Sequence, residues 1–345
     1  MKTITVWFDG FPKFFKYENF YPLTLLKKHY NIIITDHKPQ YVFCSNFNNY
    51  SFCKFDGIRI FMDYECYYPN LNLIDYAFLG ALDLEDRDRC LRWNPAIMTL
   101  YEEEKLYNHN YTEEDVKKKK FFCNYIYSHD NYNIRTEIFK KLNAYRHVDS
   151  AGNYLNNMNG WHPGSRADAS AGNKNFSKYE FLKDYKFTIA YENYQYPSYN
   201  TEKILDAFFV GSVPIYWGDK DICKIYNKNA FINAMDYDTV EEVVDVVRKI
   251  DSNNELYLNM LNQPIFNDEN YIKKMKENLD FFILHIFEQD YNKAFRRPRF
   301  LLPEQENKEL LAVTPYLQRK RKYPILYKLI HGISHPSIII ERLKK

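Results

Sequence analysis

Two α/β units in series, each a parallel sheet alternating with helices, are the architecture this sequence predicts. Three observations carry the prediction. The 345 residues exceed what a single hydrophobic core ordinarily serves. Apolar runs of strand length alternate with helical periodicity through both halves, which implies parallel pairing. The third is the stretch Phe187 to Gly218, FTIAYENYQYPSYNTEKILDAFFVGSVPIYWG, which sets a strand, a polar loop, an amphipathic helix and a second strand side by side.

Taken in order, Thr3 to Phe8 reads as the first strand, Tyr21 to His29 as a helix, and Ile32 to Thr35 and Tyr41 to Cys44 as strands. Ile58 to Met62 is another strand, ending in the polar loop Asp63, Tyr64, Glu65, Cys66, and Asp75 to Leu79 is a further short one. Glu102 to Lys120 is dense in charge, closes on four lysines, and reads as the linker between halves. Phe121 to Tyr127 opens the second half as a strand. Ser128, His129 and Asp130 make a turn, Ile134 to Leu142 a helix with Arg135 in its first turn, and Tyr145 to Asp149 a strand. Ala151 to Lys174, rich in Gly, Asn and Ser, is a long loop of the kind that often carries function. Phe176 to Asp184 is a short helix. Beyond Gly218 come a helix near Asp221 to Tyr226, a strand at Ala230 to Asn233, and helices near Thr239 to Ile250, Asn254 to Leu261 and Glu269 to Gln289. The division this suggests is 1–118, 119–295 and a C-terminal segment 296–345.

The central stretch repays closer reading. Phe187 to Ala190 is a buried strand, and Tyr191 to Asn200, broken by Pro197, is a loop. Thr201 is placed to cap a helix whose first turn holds Glu202, and Ile204, Leu205, Phe208 and Phe209 give it a buried face. Gly211 ends it, and Val213 to Trp217 is the next strand. The polar residues therefore lie beyond a strand's carboxyl end, where open α/β sheets bind ligands, and a helix N-terminus there favours anions.

Composition narrows the partners. Hydrophobic residues are 46% and aromatics 18%, with 32 Tyr and 26 Phe, ample for globular packing. The net charge of +2 hides an asymmetry: residues 319–345 hold eight Lys or Arg and one Glu, leaving the remainder acidic. A nucleic-acid binder would spread basic groups over a face. A basic apolar tail on an acidic body instead suggests contact with a membrane surface, with Ile325, Leu326, Leu329 and Ile330 interleaving Lys322 and Lys328. The longest apolar run there is far short of the ~20 residues of a bilayer span. The six cysteines form no CxxC and read as reduced thiols. Lys2 leads into a strand containing Asp9 rather than a long apolar run, so no signal peptide is expected.

Individual residues each have a plain reading beside a functional one. Lysine in a helix is ordinarily solvated, but Lys203 sits at the helix start, where the dipole disfavours a cation, which points to an anionic partner. Glu202 is either a helix-start acid or an acceptor for sugar hydroxyls. Asn193 and Tyr199 flank the loop as ligand contacts or as ordinary loop residues. Arg135 is an exposed helix residue or a cation aimed at the same cleft. Glu65, at a strand's end in the first half, is placed for a general base on a bound hydroxyl. Asp83, Asp86 and Asp88 lack the glycine and terminal glutamate of a Ca²⁺ loop and read as a solvated segment. His162 and Arg166 lie in the long loop without evident partners.

The ordered run ENYQYPSYNTEKILDAFFVGSVPIYWG resembles the signature of the α-1,3/4-fucosyltransferases of glycosyltransferase family ten. FMDYECYYPNLNLIDYA resembles the segment of the bacterial members that carries their catalytic glutamate, and LRW after DRDRC the Leu-Arg motif that follows it. The likeness spans about Thr3 to Asp290. Tyr191 stands where many members have Phe, and Cys66 where bacterial relatives often have Asn. The resemblance implies a GT-B fold, with two Rossmann-like domains facing across a cleft, an amino-terminal acceptor half and a carboxyl-terminal GDP-fucose half. It implies an inverting transfer with no obligatory metal or cofactor, from GDP-β-L-fucose to the GlcNAc of a lactosamine-type chain, giving Lewis-type structures. By position, Glu65 is then the base, Lys203 and Arg135 stabilise the leaving diphosphate, Glu202 holds a sugar hydroxyl, and Asn193 and Tyr199 line the donor pocket. A basic tail of this kind resembles the bacterial members' end and implies a cytoplasmic protein peripheral to the inner face of the plasma membrane. The competing readings are a catalytically silent glycan-binding protein of the same fold and a transferase using another GDP-sugar. Loops 46–55 and 64–72 are where acceptor selection is expected.

Overall fold

Six parallel strands make the first sheet: β1 (Lys2–Asp9), β2 (Tyr30–Ile34), β3 (Tyr41–Cys44), β4 (Ile58–Met62), β5 (Tyr76–Leu79) and β6 (Cys90–Arg92), ordered β2-β1-β3-β4-β5-β6. The chain is seen here in a computed structural model that describes residues 1–13, 15–63, 65–80, 86, 88–94, 103–107, 110–159 and 176–323. Every residue of β3, β4 and β5 is buried, as strands covered on both faces must be. Alternate residues serve opposite cores. Tyr41, Phe43, Ile58, Ile60, Met62, Tyr76 and Phe78 meet helix α1 (Tyr21–Leu26) on one side. Val42, Cys44, Phe61, Ala77 and Leu79 meet Phe52, Cys53 and Phe55 on the other.

The second sheet has β7 (Phe121–Tyr125), β8 (Val148–Ser150), β9 (Tyr185–Tyr191), β10 (Val213–Trp217) and β11 (Ile232–Asn233), all parallel and ordered β11-β10-β9-β7-β8. In the chain between β6 and β7 comes α2 (Glu113–Lys117), opened by a reciprocal Thr112–Asp115 capping box and with Val116 buried in the second unit's core. Helices α3 (Ile134–Tyr145), α6 (Val240–Asp251) and α7 (Asn254–Leu261) cover one face of the second sheet. The helices α4 (Phe176–Leu182) and α5 (Glu202–Phe209) lie along the chain between β8 and β10, with Ile204, Leu205 and Phe208 of α5 packed on Ala190 and Tyr216. In chain order this sheet has the same doubly wound pattern as the first. Each reverses direction once, between β1 and β3 and between β7 and β9, and ligands bind outside the carboxyl ends at such points.

Three features differ from the sequence reading. Strand β6 falls within the LRW motif and was not anticipated. The charged segment before β7 is more than a linker, because Leu106 is buried in the second unit's core and α2 is a capped helix. Helix α8 (Tyr271–Glu288) begins on the second unit, where Ile272 is buried, and ends on the first, where Leu279, Phe282, Ile283, Ile286 and Phe287 close the sheet. Residues 271–295, grouped with the second half by sequence, therefore serve both. Buried Asp75 then accepts the backbone N–H groups of Arg296 and Arg297, both at 2.9 Å, and pairs with the Arg297 guanidinium. Helix α9 (Leu301–Lys322) lays Leu310 and Leu311 on the first unit. Residues 324–345, with most of the tail, lie outside the described residues, as do His162 and Arg166.

Candidate active site

Strand β9 is buried along its whole length, and the residue after it is a buried acid. Glu192, 1% exposed, is fixed by its backbone N–H to the Trp217 carbonyl at 2.8 Å. Its carboxylate accepts from the Thr201 N–H at 2.7 Å, the Thr201 hydroxyl at 2.8 Å and the Lys203 ammonium at 3.1 Å. Gly218 makes room for it: a Cβ there would stand 2.6 Å from Glu192 Cγ, at a φ of +153°. Thr201 thus turns back to Glu192 and makes no side-chain cap on α5, contrary to the sequence reading. The anionic partner inferred for Lys203 also proves to lie within the chain. Burial would lower the Lys203 pKa, but the Glu192 and Glu202 carboxylates raise it on balance. Burial raises that of Glu192. Glu202, at 3.6 Å from Lys203, would rise on burial too, but Lys203 and Lys178 pull it down to about 2. Lys178 on α4 pairs in turn with buried Asp206 on α5.

Arg135 is buried rather than exposed. It donates to the His129 carbonyl at 3.0 Å, the Tyr191 carbonyl at 3.0 Å and Asn193 Oδ1 at 2.7 Å, and lies 4.2 Å from the Tyr127 ring centre. Two residues named separately from sequence therefore meet where β7 and β9 reverse the winding, with Arg135 fastening the start of the loop through Asn193.

The far end of that loop is held by Asp219, fully buried. It accepts from the Ser198 N–H at 2.6 Å and the Asn200 side chain at 3.0 Å, which holds Ser198 at a left-handed φ of 65°. Tyr199, 2% exposed, lies beneath the loop. Burial raises its phenol pKa, and Glu192, Lys203, Glu65 and Glu202 all act on it. Glu65, exposed, follows β4 of the opposite sheet.

The units also touch directly. Tyr196 donates to the Tyr68 hydroxyl at 2.9 Å, Arg92 to the Ser198 carbonyl at 3.3 Å and Asn94 to the Asn200 carbonyl at 3.3 Å. Sequence reasoning did not single out Glu192, Asp219 or Arg92. An acid directly after an unbroken apolar strand was the available signal for Glu192. Asp88, read as solvated, pairs with Arg296 at 2.8 Å and His285 at 3.0 Å, and Asp86 accepts backbone N–H groups at the start of β6. Among the described residues no three His, Cys, Asp or Glu side chains gather into a metal-binding group.

Two Rossmann-like units meeting at their carboxyl strand ends define a GT-B protein. Crystal structures of an alpha1,3-fucosyltransferase with GDP-fucose and with GDP share this fold, at TM-scores of 0.63 and 0.66 and identities of 22% and 23%, covering 82% and 86% of this chain and 90% and 93% of those chains. Residues 6–101 match the alpha-(1,3)-fucosyltransferase FucT N-terminal domain, and residues 116–277 the family 10 (fucosyltransferase) C-terminal domain. The chain belongs to glycosyltransferase family 10. It is 29% identical to the alpha-(1,3)-fucosyltransferase FucT of Helicobacter pylori over 65% of its own length and 50% of that protein's. It is 34% identical to R654 of Acanthamoeba polyphaga mimivirus, which carries a fucosyltransferase designation, over 55% of its length and 31% of that protein's. The chain therefore spans half or less of these relatives.

Proposed function

We propose that the protein is an inverting α-1,3 (or α-1,3/4) fucosyltransferase that moves L-fucose from GDP-β-L-fucose to the GlcNAc of a lactosamine-type glycan. The observation that carries this reading is the contact of the two units at their carboxyl strand ends: Tyr68, three residues after Glu65, and Arg92 of the first unit reach Tyr196 and Ser198 in the loop that leads to Lys203. Inversion needs one in-line displacement. Glu65 takes the proton of the attacking hydroxyl as the anomeric bond to the diphosphate opens. Lys203, aimed by Glu192, meets the charge that grows on the leaving oxygen. Arg135 contributes its positive charge and holds Asn193, while half-exposed Glu202 is placed to accept from a sugar hydroxyl. Tyr199 supports the donor loop from beneath.

Incubation with GDP-fucose and paired type 1 and type 2 N-acetyllactosamine acceptors should release GDP and yield a fucosylated product whose linkage is then read. Glu65→Gln should cut turnover by about 10²–10⁴-fold while GDP binds within threefold of wild type. Glycan binding without GDP binding would instead make the protein a lectin-like member of the fold, and turnover with GDP-mannose would reassign the donor. The same reading puts the protein at the cytoplasmic face of the membrane, with 319–345 against anionic lipid. No helix of the described residues is long and apolar enough to cross a membrane. Truncation after Gln318 should abolish sedimentation with phosphatidylserine vesicles.

A further inference from the structure

The lysines on the donor side already have carboxylate partners, Lys203 in Glu192 and Lys178 in Asp206. Arg135 spends its donors on two carbonyls and Asn193. A nucleoside diphosphate brings several negative charges, more than the partly neutralised lysines and the already engaged donors of Arg135 answer by themselves.

One cation at the cleft differs. Arg92, at the carboxyl end of β6, is half-buried, and its guanidinium makes a single long bond, 3.3 Å to the Ser198 carbonyl. Like Arg135 it pairs with no carboxylate among the described residues, but where Arg135 commits its donors to three bonds Arg92 makes this one. Its place is given by that contact. Ser198 is the left-handed residue held by Asp219, next to Tyr199. The Tyr226 phenol, buried beneath, feels Arg92 together with Glu192 and Asp219. The guanidinium of the first unit thus stands beside the cluster that aims Lys203.

We propose that Arg92 is a donor-binding residue supplied from the opposite unit, its guanidinium exchanging the Ser198 carbonyl for the phosphate oxygens of a nucleoside diphosphate. Arginine's planar fork makes two parallel charge-assisted bonds to a phosphate, against one neutral bond to the carbonyl it leaves. Because β6 belongs to the first sheet, the same contact draws that sheet, and Glu65 with it, toward the donor. The proposal rests on the donor reading above.

The test compares GDP with guanosine, which has the base and sugar but no phosphate. Dissociation constants are measured by calorimetry for GDP and by ligand-observed NMR for guanosine, on wild type, Arg92→Gln, Arg92→Lys and Asn94→Ala. Arg92→Gln should weaken GDP about 10–100-fold, leave guanosine unchanged, and flatten the salt dependence of GDP binding. Arg92→Lys should recover part of the loss. Asn94→Ala removes the neighbouring cross-unit bond to Asn200 without touching a charge, and should shift neither ligand beyond threefold. An unchanged GDP-to-guanosine ratio in Arg92→Gln, or an equal loss in Asn94→Ala, would overturn the proposal. Failure of wild type to bind GDP at all would overturn the donor reading instead.

Discussion

Lys203 and Glu192 show why single substitutions in this site must be read in pairs. Removing the ammonium leaves a carboxylate buried without its counter-charge, which costs about 3–5 kcal/mol. Lys203→Ala should therefore melt well below wild type as well as lose donor affinity. Adding Glu192→Gln should restore most of the melting temperature and none of the affinity. Recovery of both in the double variant would remove Lys203 from donor binding. Gly218 is the matching steric case. An alanine there meets Glu192 Cγ at 2.6 Å, so Gly218→Ala should cost about 1–3 kcal/mol in urea unfolding. Both effects stem from one carboxylate that is ordinary in composition and unusual only in its burial.

Among the elements, helices α4 and α5 are tied at their carboxyl ends by a lysine from the charged run before β7. Lys119 donates to the Lys183 carbonyl at 2.6 Å and the Val210 carbonyl at 3.0 Å, just past α4 and α5. Burial lowers its pKa from 10.5 to about 8. The unfolded chain therefore binds more protons than the folded one between about pH 8 and 10.5, and stability gains with rising pH across that window. Below pH 8 the cost of the buried ammonium is present in full. Relative to Lys119→Met, the wild type should gain about 1–3 kcal/mol between pH 7.5 and 10.5, read from urea unfolding at each pH. A difference that stays flat would refute the assignment. The run 102–120 that closes on four lysines reads from sequence as the linker between halves, because nothing local distinguishes the one lysine that two helix ends enclose.

For the whole molecule, α8 decides how the units behave together. Phe287 is stacked on Tyr41 at 4.2 Å between ring centres, while Ile272 at the helix's other end is buried in the second unit. Phe287→Ala should destabilise by about 3–5 kcal/mol. Both units should still melt in one transition, reported alike by far-ultraviolet circular dichroism and by tryptophan fluorescence. Two separated transitions would show that α8 does not couple them. The strands β3, β4, β7, β9 and β10, the helix α5 and the location of the loop between β9 and α5 were legible in the sequence, because each rests on local periodicity and on where a strand ends. The meeting of Arg135 with Asn193 was legible only in part: the signature contains Asn193, while Arg135 read as either an exposed helix residue or a cation aimed at the cleft. Which charge answers which was not legible: Glu192 to Lys203, Asp219 to Ser198, Arg92 to the opposite unit, α8 to the first sheet. Those partners lie on different elements, and a buried charge takes whichever counter-charge or dipole packing brings within hydrogen-bond reach. The sequence by itself thus determined the two doubly wound units and the residues at their strand ends; only the tertiary structure decided how those residues are paired, because burial and pairing exist only once strands, loops and helices have packed on one another.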